Sequence, residues 1–157
     1  MSDIGSIVLG GLSGVIIYVI GQLLSKFMIE PLQELRKVVG EVRFNLSFHA
    51  PTIHTPNSRS KETSEAARLA LMKSSCDLVS KLHAVPAFGV LRWLPCGVLP
   101  NRKDIENAAI HLRGLSTYVH EDGDKAYSNI DNVNNRVSEI ESLLCLNPLE
   151  LWLNHLK

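Results

Sequence analysis

Residues 4–25, IGSIVLGGLSGVIIYVIGQLLS, decide the fold of this chain, because these 22 residues carry no charge. At a rise of about 1.5 Å per residue they form a helix of about 33 Å, which matches a bilayer core of about 30 Å. A core helix of a soluble protein would have a polar side, and this segment has none. The sequence therefore predicts a transmembrane anchor, assigned to residues 1–28.

The charges on either side of this segment predict its orientation. The charged residue before the segment is Asp3, whereas the basic residues Lys26, Arg36, Lys37 and Arg43 follow it. A cleaved signal peptide would need a positive N-terminal region, so we expect an uncleaved, single-pass anchor. Because the side richer in Lys and Arg stays in the cytoplasm, the N-terminus should lie outside and the rest of the chain inside, at an inner (cytoplasmic) membrane.

Small residues recur along one side of the anchor. Ser6, Gly10 and Gly14 are spaced four apart, and Gly21 lies seven beyond Gly14. This spacing lets transmembrane helices approach closely, and it predicts a homo-oligomer, with a tetramer as one option. The alternative is that glycine is simply common in membrane helices.

The remainder of the chain predicts helices and no strand. An amphipathic juxtamembrane helix is assigned to residues 29–49 and a cytosolic helical domain to residues 50–157, with Ala50 to Ser60 as a loop. Further helices are expected at about 61–82, 101–119 and 126–144, with a last short one from Pro148. The fold class is thus all-α, one N-terminal transmembrane helix followed by a cytosolic helical bundle. Asn101 is expected to cap the helix at 101–119. The predicted apolar faces, in chain order, are Leu32, Leu35, Val39, Val42 and Leu46 on the juxtamembrane helix; Ala66, Leu69, Ala70, Met72, Cys76, Val79 and Leu82 on the helix at 61–82; Ile105, Ala108, Ala109, Leu112, Leu115 and Val119 on the helix at 101–119; and Ile130, Val133, Val137, Ile140 and Leu144 on the helix at 126–144.

The sequence lacks the residue patterns of an enzyme. No nucleophile motif GxSxG occurs, and no His pairs with His, Cys or Glu at a metal-ligand spacing. Cys76, Cys96 and Cys145 are widely spaced among apolar residues, which predicts buried, reduced thiols. We therefore expect no catalytic site, no metal and no cofactor.

Charge is unevenly distributed along the chain. From Pro31 to His120 there are twelve Lys/Arg against seven Asp/Glu, a balance of +5, and from Glu121 to Lys157 three against seven, a balance of −4. The basic part can attract an anion, or the acidic part of another copy. Both can equally be ordinary solvated faces.

Two groups of residues are candidates for binding a ligand. Arg102 and Lys103 begin a helix, where positive charge opposes the helix dipole unless an anion shares the free N–H groups. Arg59 and Arg68 would extend this basic surface. Asn132 and Asn135 lie within a helix although asparagine is a weak helix former, and asparagine can pair with adenine edges. The alternatives are side chains that face water and an asparagine ladder between subunits.

Short motifs resemble those of small, uncharacterised bacterial proteins with one N-terminal membrane helix. The resemblance covers most of residues 27–118 and implies the same topology. Its motifs are Glu30-Pro31-Leu32-Gln33, Val39-Gly40-Glu41, His83-Ala84-Val85-Pro86 and Leu112-Arg113-Gly114-Leu115-Ser116.

The plan of the chain is also similar to that of the small membrane effectors of type III CRISPR systems. Those proteins pair a membrane segment with a cytosolic domain that binds cyclic oligoadenylate. The resemblance implies an antiviral effector that binds this second messenger, perturbs the bilayer, and does not bind duplex nucleic acid. The chain departs from other nucleotide sensors because it has no Rossmann-like domain.

Two other functions fit the sequence. The chain could be a non-enzymatic membrane scaffold that docks a protein partner through the tail from Pro148, with Trp152 as its anchor. It could also be a small membrane toxin whose soluble part restrains the membrane helix. In that case, removing the residues after Phe48 would increase toxicity.

Overall fold

A computed structural model describes residues 2–54, 60–86, 88, 100–119 and 130–146, with side-chain surroundings from residue 11 onward. These residues are helical and include no strand, which confirms the predicted all-α class. The predicted terminal helix from Pro148, with Trp152, lies outside this part of the chain, as do Arg59 and Cys96.

One helix runs without a break from the N-terminal segment into the rest of the protein. It comprises α1 (Ser2–Leu24), a π-helical turn (Ser25–Ile29) and α2 (Glu30–Phe48). The turn has a cause in the sequence, because Pro31 has no N–H to bond to the preceding turn and its ring pushes against that turn's carbonyl. The N–H of Glu30 instead donates to Ser25 O, five residues back.

The apolar part of this helix is long enough to cross a membrane. Among the described residues, it is the one helix that combines the required length and composition, and its apolar stretch is not buried against the rest of the chain. Its large side chains, from Leu12 to Leu24, are half or more exposed apart from Val19 at 47%. An apolar surface of this kind is stable only when lipid or another apolar surface covers it.

In the described part of the chain, four helices form an antiparallel bundle: α2, α4 (Lys61–Ala84), α5 (Arg102–Tyr118) and α6 (Ile130–Leu143). Lys81 of α4 pairs with Glu34 of α2 at 3.3 Å, and Asn45 Nδ2 donates to Ser74 Oγ at 2.9 Å. Between α4 and α5, Ser75 Oγ donates to the carbonyl of Ala109 at 2.8 Å. We call the end of the bundle next to α1 the near end and the opposite end the far end.

The bundle core is aliphatic and includes α2. Each helix presents its apolar side to the others, as the spacing of apolar residues on α2, α5 and α6 predicts. The juxtamembrane helix is therefore one of the helices of the bundle, and its buried side chains form part of the core. Side chains with no exposed surface are Leu35, Val42, Ala67, Leu71, Leu78, Leu82, Ile105, Ala108, Leu112, Leu115 and Ile140.

The predicted loop at residues 50–60 was wrong in its first half. Ala50–His54 forms a short helix, α3, in which Thr52 and Ile53 are buried. The turn begins because the N–H groups of Thr52 and Ile53 both donate to His49 O, at 2.9 Å. Pro51 fits there because the first turn of a helix does not need its N–H.

The predicted apolar face of α4 was wrong at four of its seven positions, although Leu82 is buried as predicted. Leu69 and Met72 are 53% and 41% exposed, and Ala66 and Cys76 are exposed as well. The buried side is instead formed by Ser64, Ala67, Leu71, Ser74, Ser75, Leu78 and Leu82. Small side chains let α4 and α5 pack closely. The buried side of α4 is therefore decided by the fit to α5 and not by the number of apolar residues on each side.

The prediction that the cysteines are buried was wrong for the two described thiols. Cys76 lies on the outer side of α4 and Cys145 follows α6, and both are exposed. Cys145 has a φ of 53°, in the left-handed region that ends many helices. Apolar neighbours in sequence did not predict burial here because a helix places adjacent residues on different sides.

Candidate functional site

An open cleft of about 530 Å³ lies between α4 and α5, toward the far end of the bundle. Two arginines, one from each helix, border it, and one of them is the predicted ligand-binding residue Arg68. Its other walls are a carboxylate, two hydroxyls and a thioether. The lining side chains are Glu65, Arg68, Met72, Arg113, Ser116 and Thr117.

The two arginines of the cleft differ in their partners. Arg68 binds Glu65 through two hydrogen bonds, of 2.9 Å to Oε2 and 2.7 Å to Oε1. These hydrogen bonds, together with the negative charge of Glu65, raise the pKa of the Arg68 guanidinium. Arg113 is exposed and has no partner among the described residues. The cleft thus has a net charge of about +1, with Arg113 as its available cation.

The hydroxyls of the cleft can accept hydrogen bonds. Ser116 Oγ donates to the carbonyl of Arg113 at 2.7 Å, and Thr117 Oγ1 donates to the carbonyl of Gly114 at 2.7 Å. Because these hydrogens are committed to the backbone, each oxygen keeps lone pairs that can accept a hydrogen bond. Such acceptors suit an amino group, while Arg113 suits a phosphate.

Arg102 and Lys103 occupy the first turn of α5, at the near end. Asn101 is at the N-cap position, as predicted, but its side chain makes no capping hydrogen bond. Arg102 Nε donates to Glu106 Oε1 at 3.2 Å, one helical turn along, and both side chains are nearly half exposed. The charge of Arg102 is therefore already balanced within α5.

Asn132 and Asn135 lie on the exposed side of α6. His111 Nε2 of α5 lies 3.1 Å from Glu139 Oε2, and Arg136 lies over the ring of Tyr118, 5.4 Å from its centroid. In these contacts α6 runs antiparallel to α5, so the start of α6 lies toward the end of α5. From Arg102 to this end is 16 residues of helix, or about 24 Å.

The structure therefore separates the predicted ligand-binding residues into two groups. Arg68 and the two asparagines lie toward the far end of the bundle, and Arg102 and Lys103 lie at the near end. One copy of the chain does not gather them around a single small ligand. Ser116 and Thr117 belong to the cleft although no sequence pattern marked them, and the available signal was their position three and four residues after Arg113 on α5.

The predicted packing residues of the membrane helix all lie in α1. Gly14 is exposed, and a methyl group added to it would meet no atom within 4 Å. Ser6 and Gly10 are helical, but their surroundings lie outside the described part of the chain.

An exposed aromatic pair is the feature that sequence reasoning missed. Phe44 and Phe48 of α2 are 63% and 66% exposed, and their rings stack at 5.5 Å between centroids with 16° between planes. They lie opposite the buried side of α2, which contains Val42 and Leu46. Their i, i+4 spacing opposite that side was visible in the sequence.

Among the residues that the structure describes, no three His, Cys, Asp or Glu side chains are grouped so that they could hold a metal ion. No known protein family, no curated protein and no solved structure shows a significant match to this chain.

Proposed function

We propose that this chain is a non-enzymatic, membrane-anchored effector of antiviral defence. In this proposal α1 crosses the inner membrane with its N-terminus outside, and the helical bundle lies in the cytoplasm. The bundle binds cyclic oligoadenylate in a homo-oligomer, and binding changes the arrangement of the membrane helices so that the bilayer is perturbed.

The observation that carries the proposal is the uninterrupted helix from Ser2 to Phe48. Its C-terminal half is a wall of the bundle, where Leu35 and Val42 have no exposed surface. Because a close-packed core does not deform continuously, a shift of α2 within the bundle moves α1 with it. A ligand drives such a shift only if it binds one arrangement better than the other.

The cleft between α4 and α5 is the better candidate for the ligand. Arg113 offers a positive charge to a phosphate, and the hydroxyls of Ser116 and Thr117 offer acceptors to an adenine amino group. A ring of several nucleotides exceeds one cleft, so it would bridge the clefts of more than one copy. The first turn of α5 is the weaker candidate, since Glu106 already balances Arg102.

The test is a titration of the full-length protein in lipid nanodiscs with cyclic oligoadenylates of different ring size. We expect micromolar binding that Arg113→Glu weakens at least tenfold. The matched control is Lys73→Glu, the same charge reversal on an exposed residue of α4 that does not line the cleft. Lack of binding at micromolar concentration, or equal losses in both variants, would overturn the proposal. A loss confined to Arg102→Glu with Lys103→Glu would move the site to the near end.

The alternative function is a scaffold that docks a protein partner. It is favoured by exposed aliphatic side chains on the bundle, Leu69 on α4 and Ile110 on α5, which are 53% and 65% exposed. Exposed apolar side chains mark an interaction site where they join into one contiguous patch, and single ones are ordinary on a protein surface. A partner that co-purifies with the wild type and is lost with Trp152→Ala, but kept with Arg113→Glu, would favour this function.

A further inference from the structure

The long helix carries several glycines that the protein's own packing does not explain. A methyl group added at Gly14, Gly21 or Gly40 would meet no atom within 4 Å. Glycine inside a helix costs about 0.5–1 kcal/mol relative to alanine, so an intramolecular reason would be expected. For these three positions the structure contains none.

The π-helical turn places these glycines on one line. An α-helix turns by about 100° per residue, and one π turn sets later residues back by about one residue. Gly21, Gly40 and Phe44 lie 7, 26 and 30 residues after Gly14. Once one residue is subtracted for the π turn from the last two separations, each of the three side chains points within about 20° of the direction of Gly14. Without the π turn, Gly40 and Phe44 would lie about 80–120° away.

This line defines one face of the long helix, which we call the glycine–phenylalanine face: Gly14, Gly21, Gly40, Phe44 and the adjacent Phe48. On α2 it points away from the bundle core, because Leu35, Val42 and Leu46 are buried on the opposite side. Lipid does not cover its outer end, since Phe44 lies 19 residues beyond Ser25, or roughly 28 Å along the helix.

The charges on the two sides of this face are complementary to those of a second copy of the same face. Arg36 and Arg43 lie about 60–80° to one side of the line, and Glu30 and Glu41 lie about 60–80° to the other. In two parallel helices related by a two-fold axis, the basic side of each faces the acidic side of its partner. Lys37 lies on the acidic side, one helical turn before Glu41.

We propose that a second copy of this chain packs in parallel on the glycine–phenylalanine face. Membrane insertion makes the two copies parallel, the glycines allow the helices to approach, and the aromatic pairs cover one another beyond the bilayer. A face that pairs with itself gives a two-fold contact, which can stand alone or recur within a larger assembly. The inference rests on the proposed membrane insertion of α1 but on no ligand.

Disulfide cross-linking in nanodiscs tests the contact. In a background with Cys76, Cys96 and Cys145 replaced by Ser, Gly40→Cys and Gln33→Cys lie on the face and should cross-link to the same residue of the second copy. Asn107→Cys, exposed on α5, is the control and should cross-link at least tenfold less. Equal yields at the three positions would overturn the proposal.

Replacement of Pro31 by Ala tests the role of the π turn. The substitution restores the missing N–H, so the turn should convert to α-helix and rotate Gly40 and Phe44 by about 100° from Gly14, although every residue of the face remains. We expect the Gly40→Cys cross-link to fall at least tenfold, with helix content unchanged by circular dichroism. A retained cross-link would contradict the alignment.

A second variant covers the case in which Pro31→Ala disturbs folding. Phe44→Ala with Phe48→Ala should reduce the Gly40→Cys cross-link at least tenfold, whereas Leu69→Ala with Ile110→Ala, an equal number of exposed apolar truncations, should not. If both pairs behave alike, the aromatic pair does not form the contact. All measurements are made without nucleotide, so their failure leaves the ligand titration unaffected.

Discussion

Two leucines on α4 offer a direct measurement of which side of that helix is buried. Leu71 has no exposed surface, whereas Leu69, two residues earlier, is 53% exposed. Truncation of a fully buried leucine to alanine costs about 2–5 kcal/mol, through lost burial and the remaining cavity. Taking about 3 kcal/mol for Leu71→Ala, and about 3 °C per kcal/mol for a domain of this size, the midpoint should fall by about 9 °C.

Leu69→Ala should lower the free energy of unfolding much less than Leu71→Ala. Complete burial of a leucine side chain stabilises the folded state by about 2 kcal/mol, and the half-buried Leu69 contributes about half of this free energy. Alanine retains part of that contact and is the better helix former by a few tenths of a kcal/mol. We expect a net loss below about 0.5 kcal/mol and a midpoint within about 2 °C of wild type.

The assay is thermal unfolding of the detergent-solubilised full-length protein, followed by far-ultraviolet circular dichroism. Because both variants make the same chemical change on the same helix, their difference reports burial alone. If Leu69→Ala destabilised the protein as much as Leu71→Ala, the face assigned to α4 by the structure would be refuted.

The same unfolding assay tests three further predictions. Ser75→Leu should cost at least about 2 kcal/mol by overpacking the α4–α5 contact, whereas Ser75→Ala should cost about 1 kcal/mol or less, and equal effects would argue against close packing there. Partial burial lowers the pKa of His49 below its ordinary value of 6.5. The unfolded chain then binds this proton more readily, so stability should fall as the pH drops below about 6.5. His49→Gln should reduce that fall, and an unchanged pH profile would exclude His49 as its source. A methyl group at Gly114 would displace the Arg136 guanidinium, whose Cζ would lie 2.8 Å away. Gly114→Ala should therefore stabilise an Arg136→Ala background by up to about 1 kcal/mol and the wild type by less, and an equal gain in both would show that Arg136 does not restrict this position.

Much of the helical layout was predictable from sequence. The apolar spacing on α5 predicted its buried residues, Ile105, Leu112 and Leu115 among them, because that helix meets neighbours on one broad side. The same rule failed on α4, where three serines and one alanine share the buried side with three leucines. Hydrophobic count identifies a helix, but the closeness of the neighbouring helix decides which side chains fit between them.

The candidate site shows a similar division. The sequence marked Arg68 as a candidate for a basic surface, but it could not show that this residue borders one cleft with Arg113, which lies 45 positions later. It grouped Arg102 and Lys103 with Asn132 and Asn135, although the antiparallel order of α5 and α6 places the two pairs at opposite ends. Contacts between residues far apart in sequence depend on chain direction and packing, which local patterns do not encode.

The amino-acid sequence by itself determined the long apolar N-terminal helix, the all-α class and the presence of Pro31 just beyond the apolar segment. These properties depend on composition and on interactions within a few residues. Only the tertiary structure decided that α2 is a wall of the bundle, that the π turn aligns Gly14 with Gly40 and Phe44, and that Phe44 and Phe48 point away from the core. The physical reason is that a residue's direction on a long helix accumulates over every preceding turn, and which direction is buried depends on where the other helices pack.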